Sequence, residues 1–300
     1  MRLLLAAALA CIAALPASAQ HAWTANYPEG PLWLDARLYW AEMTSDAVMA
    51  WDGDAPVKVF ERKGCGPTSI ARYRETEVIV LCHLEGALAR LDAEFKLLGM
   101  IRVASDGTAL RDPNDSVADG RGGVWFTDPG RFSSDAGPEG ALYHLGPDGD
   151  VTRHADGLFY GNGVWIDQSQ NRLLVSEHLA RRVLAYPIVP GGLGPAEVLF
   201  SLDDFGLNAP RYDQSGPDGL EIGPGGVLWI AEYGTGRLLG WRPDDGLVAA
   251  LAVDAQFITN IAFGPDGQVA VTGAKDNRTW PLPGAVWVFE REILDRMIRE

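Results

Sequence analysis

Between Ser215 and Pro243 the apolar positions fall in short runs separated by turns. Asp218 precedes a run at residues 220–222, Gly223-Pro224-Gly225-Gly226 turns the chain, and Val227-Leu228-Trp229-Ile230-Ala231 follows with strong β-formers. Run, turn and run at this spacing predict a hairpin. Turns at residues 233–236 and 242–246 add runs at 237–241 and 247–253, so the predicted unit is a four-stranded antiparallel meander.

The same order recurs from Glu29, Gly66, Pro113, Gly161 and Thr259, with second runs near residues 38–42, 78–83, 123–128, 172–178 and 269–273. A meander cannot bury both faces alone. Copies spaced by about 40–50 residues therefore stack in a ring, which predicts an all-β, six-bladed β-propeller of four-stranded antiparallel blades. A β-sandwich would leave the repeat unused. The sixth copy ends after Phe289, so residues 21–27 are expected to supply its outermost strand and close the ring. Helical spacing is confined to residues 290–300, a short C-terminal helix or frayed tail.

Composition narrows the setting. Arg2, an apolar run over residues 3–15 and Ala17-Ser18-Ala19 form the pattern of a cleaved secretory signal over residues 1–19, leaving residues 20–300 as one propeller domain in a secreted or periplasmic compartment. The run is too short to span a bilayer. Without Arg2 the chain carries 24 Lys plus Arg against 40 Asp plus Glu, a net of −16. Such a surface repels phosphate backbones and anionic lipid, so no nucleic-acid or membrane partner is expected; cations and small ligands fit better. Removal of Cys11 leaves Cys65 and Cys82, which fall near the open end of one predicted hairpin and are expected to pair after export.

The residue just before the first strand of each copy sits at one mouth of the channel. Reading that position gives Glu29, Thr68, Asn114, Asn162, Asp218 and Asn260. Oxygen donors with two formal charges and no soft ligand suit a hard divalent ion, and Ca²⁺ tolerates irregular geometry better than Mg²⁺. Asn and Asp are also good turn residues, but Glu is not. The second strand of each hairpin ends at the same mouth, which adds Glu42, His83, Asp128, Glu177 with His178, Glu232 with Tyr233, and Lys275; of these His83, His178, Glu177 and Glu232 are candidate substrate contacts. His144 and His154 are expected to be solvated, and the tryptophans to pack between blades. No nucleophile-elbow, Walker-type or dinucleotide motif occurs.

These residues resemble the SMP-30/gluconolactonase family of calcium-dependent six-bladed propellers. The marks are Glu29-Gly30-Pro31, Pro113-Asn114-Asp115, Val124-Trp125-Phe126-Thr127-Asp128-Pro129, Asn162-Gly163 and Pro217-Asp218-Gly219, in family order over nearly the whole mature chain. The resemblance implies that Glu29, Asn162 and Asp218 ligate Ca²⁺ or another divalent metal, that Asn114 is a further ligand or binds substrate, and that Asp218 also serves as general base. The implied reaction is hydrolysis of a small-molecule lactone or related ester. Arg111 stands three residues before Asn114, whereas animal members carry Arg-x-Asn. A non-catalytic propeller that keeps the metal for stability and binds a small ligand or protein at its mouth remains the alternative.

Overall fold

The computed structural model describes residues 19–207, 212–265, 267–290 and 292–299; the expected export signal lies outside them apart from Ala19. Every described strand pair is antiparallel. The first meander comprises Pro28–Leu34, Arg37–Glu42, Ala47–Trp51 and Val57–Glu61, and the second Pro67–Tyr73, Glu77–Cys82, Ala87–Asp92 and Leu97–Ile101. The third is Ser116–Ala118, Val124–Asp128, Gly140–Leu145 and Val151–Leu158; the fourth is Gly161–Asp167, Arg172–Glu177, Arg182–Val189 and Glu197–Ser201. Gly216–Ile222, Leu228–Tyr233, Arg237–Arg242 and Gly246–Ala252 form the fifth, which runs on into the last through the single bridging pair Tyr233 and Phe257.

The last meander uses Phe257–Phe263, Gln268–Ala274 and Pro283–Glu290, and its outer strand is His21–Asn26 from the other end of the chain, in register from His21 opposite Val288 to Asn26 opposite Pro283. This is the expected closure. The first strand of each meander packs on the first strand of the next, and that of the last returns to Pro28–Leu34. The fold is thus an all-β, propeller-like arrangement of four-stranded antiparallel blades.

Its apolar interior is divided among the joints between blades. Val48, Ala50, Ile70, Val80 and Ala89 fill one joint, and Trp229, Leu238, Ile258, Val271 and Trp287 another. Trp40 and Trp229 are fully buried within such joints, each withdrawing enough apolar surface to contribute about 4–6 kcal/mol before entropy is counted. The short helix Glu292–Arg299 lays Leu294 against the last joint. Cys65 and Cys82 form a disulfide with their Cα atoms 4.4 Å apart.

The expectation that His144 and His154 stand in solvent is corrected. His144 is partly buried against Trp125, its Nε2 lies 2.9 Å from Asp119, and both imidazoles line a separate cleft on the outer strands. Trp125 opposes His144 across the pair of strands, and its face draws both rings down.

Candidate active site

A cavity of about 170 Å³ opens where the first strands begin. The first four meanders supply Tyr27, Glu29 and Met43; Thr68 and His83; Asn114 and Phe132; and Tyr160, Asn162 and His178, while the fifth supplies Asp218 and Tyr233. Strand pairing slips at the same place in three blades, between Glu29 and Leu32, Gly161 and Val164, and Pro217 and Leu220. A bulge breaks the strict alternation of side chains and re-aims one of them. Here it frees Glu29, Asn162 and Asp218 to face the axis.

The neighbouring glycines let the first strands close up. A Cβ on Gly163 would strike the backbone carbonyl of Asp218, and one on Gly30, at φ +40°, would come within 2.5 Å of the carbonyl oxygen of Thr68. Only glycine permits both the approach and, at residue 30, the left-handed conformation. Hydroxyls then tie one blade to the next at these positions. Thr68 donates to the Asn114 carbonyl, Thr127 to that of Asn162 and Ser176 to that of Asp218, each at 2.7 Å, and Thr259 donates to the Pro28 carbonyl at 2.7 Å.

Glu29, Asn114, Asn162 and Asp218 are all buried. Burial first, then the charges of Asp218 and Asp115, pushes Glu29 well above the usual carboxylate range; burial and Asp115 do the same to Asp218, against a hydrogen bond from the Asn162 side chain. Among the described residues no Lys or Arg lines the cavity. Among the described residues no three His, Cys, Asp or Glu side chains converge, so the donors are two carboxylates completed by asparagine amides. An all-oxygen set of this kind fits a hard cation such as Ca²⁺ rather than a soft one.

Below this site Asp115 accepts from Ser69 Oγ at 3.0 Å, the Val164 N–H at 3.1 Å and Asn260 Nδ2 at 3.4 Å; burial raises it to about 6. Asn260 was expected at the same mouth as Asp218. It instead lines a second axial cavity at the other side of Asp115, because the first strand of the last meander slips between Ile258 and Asn260 and turns the amide away.

Both candidate histidines line the cavity, each fixed by a backbone carbonyl. His83 Nδ1 is 3.0 Å from the Asp112 oxygen, and His178 Nε2 is 2.8 Å from that of Gln214. Burial lowers both, His178 to about 4, so the imidazoles are neutral at physiological pH. A neutral ring donating from Nε2 leaves Nδ1 as an acceptor. His178 Nδ1 is buried with no hydrogen-bond partner among the described residues.

Glu177 and Glu232 do not line the cavity. Each precedes a residue that does, and successive strand residues face opposite ways. Glu177 pairs with Arg182, its cross-strand neighbour, and accepts from the Phe159 N–H at 2.9 Å. Glu232 pairs with Arg237 at 2.6 Å and Arg181 at 3.5 Å. The remaining strand-end residues are also committed elsewhere: Glu42 to Trp40 and Ser45, Asp128 to the Arg111 and Asp112 N–H groups, and Lys275 to Asp254. Arg111 reaches Glu139, donating to its carbonyl at 2.6 Å, and does not line the cavity.

The sequence reading missed Tyr27, Tyr160, Phe132 and Met43. Tyr27 and Tyr160 stand two residues before Glu29 and Asn162 and share a left-handed backbone, φ 47° and 58°, so reading the repeat two positions earlier would have found them. A bulky residue in that region is strained, as is common at functional sites. Phe132 lies in the long connection of the third meander, outside the repeat, and no periodic signal marks it.

A propeller-like ring with a buried, oxygen-lined acidic cavity at one end of its first strands sets the class. The chain matches the family described as the SMP-30/Gluconolactonase/LRE-like region over residues 27–275, and it belongs to that family. Regucalcin of Danio rerio is 26% identical over 253 residues, covering 79% of this chain and 78% of its own. Lactonase drp35 of Staphylococcus aureus is 30% identical over 187 residues, 58% of this chain and 52% of that protein. Among solved structures, a luciferin-regenerating enzyme superposes with a TM-score of 0.72 at 21% identity, covering 88% of this chain and 91% of its own. A gluconolactonase from Xanthomonas campestris gives 0.70 at 22%, with 88% and 86% covered. Likeness at such identities speaks for the fold.

Proposed function

We propose that this chain is an exported, calcium-dependent hydrolase of a lactone or related ester, built as a closed ring of six blades. One observation carries the reading: Glu29 and Asp218 are buried together beside Asn114 and Asn162 in a cavity that no cationic side chain among the described residues lines. Two such carboxylates are costly without a compensating charge. Relatives named as lactonases supply the reaction class.

Glu29, Asn162 and Asp218 would hold the ion, with Asn114 beside it. When bound, calcium supplies Lewis-acid polarisation of an ester carbonyl. Asp218 would take the proton of an attacking water, its carboxylate oriented by the Asn162 amide. His178 Nδ1, buried with no partner among the described residues, would be the acceptor left to position a hydroxyl or water. The buried rings of Tyr160, His178 and Tyr233 would limit competing solvent. Export is supported by the signal-like start and by the Cys65–Cys82 bridge, which suits an oxidising compartment.

The test is metal analysis of the purified protein together with a panel of lactones and aryl esters, assayed with Ca²⁺ and then with chelator. Turnover that chelator removes and Ca²⁺ restores is expected. Metal bound at the site with no turnover on any member of the panel would replace the hydrolase with a binding module.

A further inference from the structure

Aromatic rings make up most of the cavity wall that faces away from the oxygen donors. Phe132 sits among them, its centroid 4.9 Å from Tyr160, 5.1 Å from His178 and 5.9 Å from Tyr233, with interplanar angles of 55°, 84° and 87°. His178 and Tyr233 lie 5.4 Å apart. Tilted and edge-on packing of this kind makes a fixed wall. Phe132 remains partly exposed at the rim, and its carbonyl accepts from Gln214 Nε2 at 3.0 Å, which anchors the loop to the segment before the fifth blade.

Several polar groups on this wall already have partners. The Tyr27 and Tyr233 hydroxyls are bonded to each other at 3.1 Å, and Asn277 Nδ2 lies 3.1 Å from the Tyr233 oxygen. His178 Nε2 is used by Gln214, leaving one ring acceptor, Nδ1. Arg111, the cation nearest in sequence to Asn114, is turned to Glu139. A ligand hydroxyl buried here without a partner costs about 1–3 kcal/mol, and a polyhydroxylated ring would bring several.

We propose that the wall formed by Phe132, Tyr160, His178 and Tyr233 selects an uncharged lactone with an apolar alkyl or aryl face, and rejects a polyhydroxylated sugar lactone, with Phe132 as a specificity-determining residue. The inference rests on the lactone-hydrolase reading and deepens it. A cavity of about 170 Å³ accommodates one small ring with a short alkyl substituent or one fused ring.

Two measurements separate this inference from the reading beneath it. The first compares kcat/KM for alkyl-substituted and phenyl-fused δ-lactones with that for glucono-δ-lactone, with Ca²⁺ present, in the native protein and in Phe132→Ala and Phe132→Tyr. The apolar lactones are expected to be preferred by about tenfold or more, Phe132→Ala to erode the preference mainly through KM, and Phe132→Tyr to retain it. A preference for the sugar lactone, or an unchanged ratio in Phe132→Ala, would overturn the proposal. The second is calorimetric titration with the corresponding lactams, which are not hydrolysed. Binding of the phenyl-fused lactam but not of gluconolactam, with no lactone turned over, would uphold the selective wall and sink the hydrolase alone. Lactone turnover with neither lactam favoured would sink the wall alone, and no binding with no turnover would sink both.

Discussion

Ser176 Oγ donates to the backbone carbonyl of Asp218 at 2.7 Å and accepts from the Gly163 N–H at 2.7 Å. One hydroxyl from the second strand of the fourth meander therefore joins the strand that carries Asn162 to the strand that carries Asp218. Thr127 occupies the equivalent place one blade earlier and holds the Asn162 carbonyl in the same way. Distances between donors on different blades are thereby set by short, buried bonds.

Ser176→Ala leaves a buried N–H and a buried carbonyl without this partner. A loss of about 2–4 kcal/mol is expected in chemical denaturation. Calcium affinity should fall by about 10–100-fold, as for other residues that orient ligands, while Ser176→Thr recovers most of both. Equal calcium affinity in the alanine variant would show that the bond does not position Asp218.

Asp218→Asn removes one of two adjacent buried charges. In chelator at neutral pH the variant should melt higher than the native protein, because the unfavourable burial of charge is relieved. With Ca²⁺ added the order should reverse, since the variant loses its metal-induced shift, and kcat should drop by about 10²–10⁴-fold if the carboxylate is the base. Thermal melts with and without metal read both signs.

The metal-free protein should lose stability as pH rises. Burial lifts Asp115 to about 6, and burial together with Asp128 lifts Asp112 to about 7, whereas unfolded carboxylates titrate near 4. Groups raised in the folded state contribute stability that is complete below the unfolded value and is lost as pH climbs through the folded one. Melting temperatures in chelator are therefore expected to decline from about pH 5 to about pH 7.5, and Asp112→Asn should flatten that slope. A rise over the same interval would contradict the assignment.

Glu232 has a structural duty, so Glu232→Gln should reduce stability by about 3–5 kcal/mol by leaving the buried Arg237 guanidinium uncompensated. Activity per folded molecule should change little. A specific loss of kcat in protein that remains folded would return Glu232 to the active site.

Reduction of Cys65–Cys82, or the pair of serine substitutions, should cost about 3 kcal/mol in the chain-entropy picture. His83 follows Cys82 directly and is anchored on the Asp112 carbonyl. Non-reducing mass spectrometry of exported protein checks the bond, and two freely alkylated thiols would refute it.

The repeat of short apolar runs by itself determined the all-β class, the four-stranded unit, the closing role of His21–Asn26 and the cysteine pairing. These follow from local pattern, because turn residues and strand alternation act over a few positions. Reading one equivalent position across the copies also picked out Glu29, Asn114, Asn162 and Asp218, which line one cavity. Asn260, read at that position, and Glu177 and Glu232, read at the ends of second strands, do not line it, because a single residue of register decides which way a side chain faces. That register is set by bulges, by the close approach at Gly30 and Gly163, and by hydroxyls reaching between blades, none of which lies within one stretch of sequence. Phe132 reaches the cavity from a loop outside the repeat and is held there by Gln214, so the aromatic wall exists only because distant segments pack together.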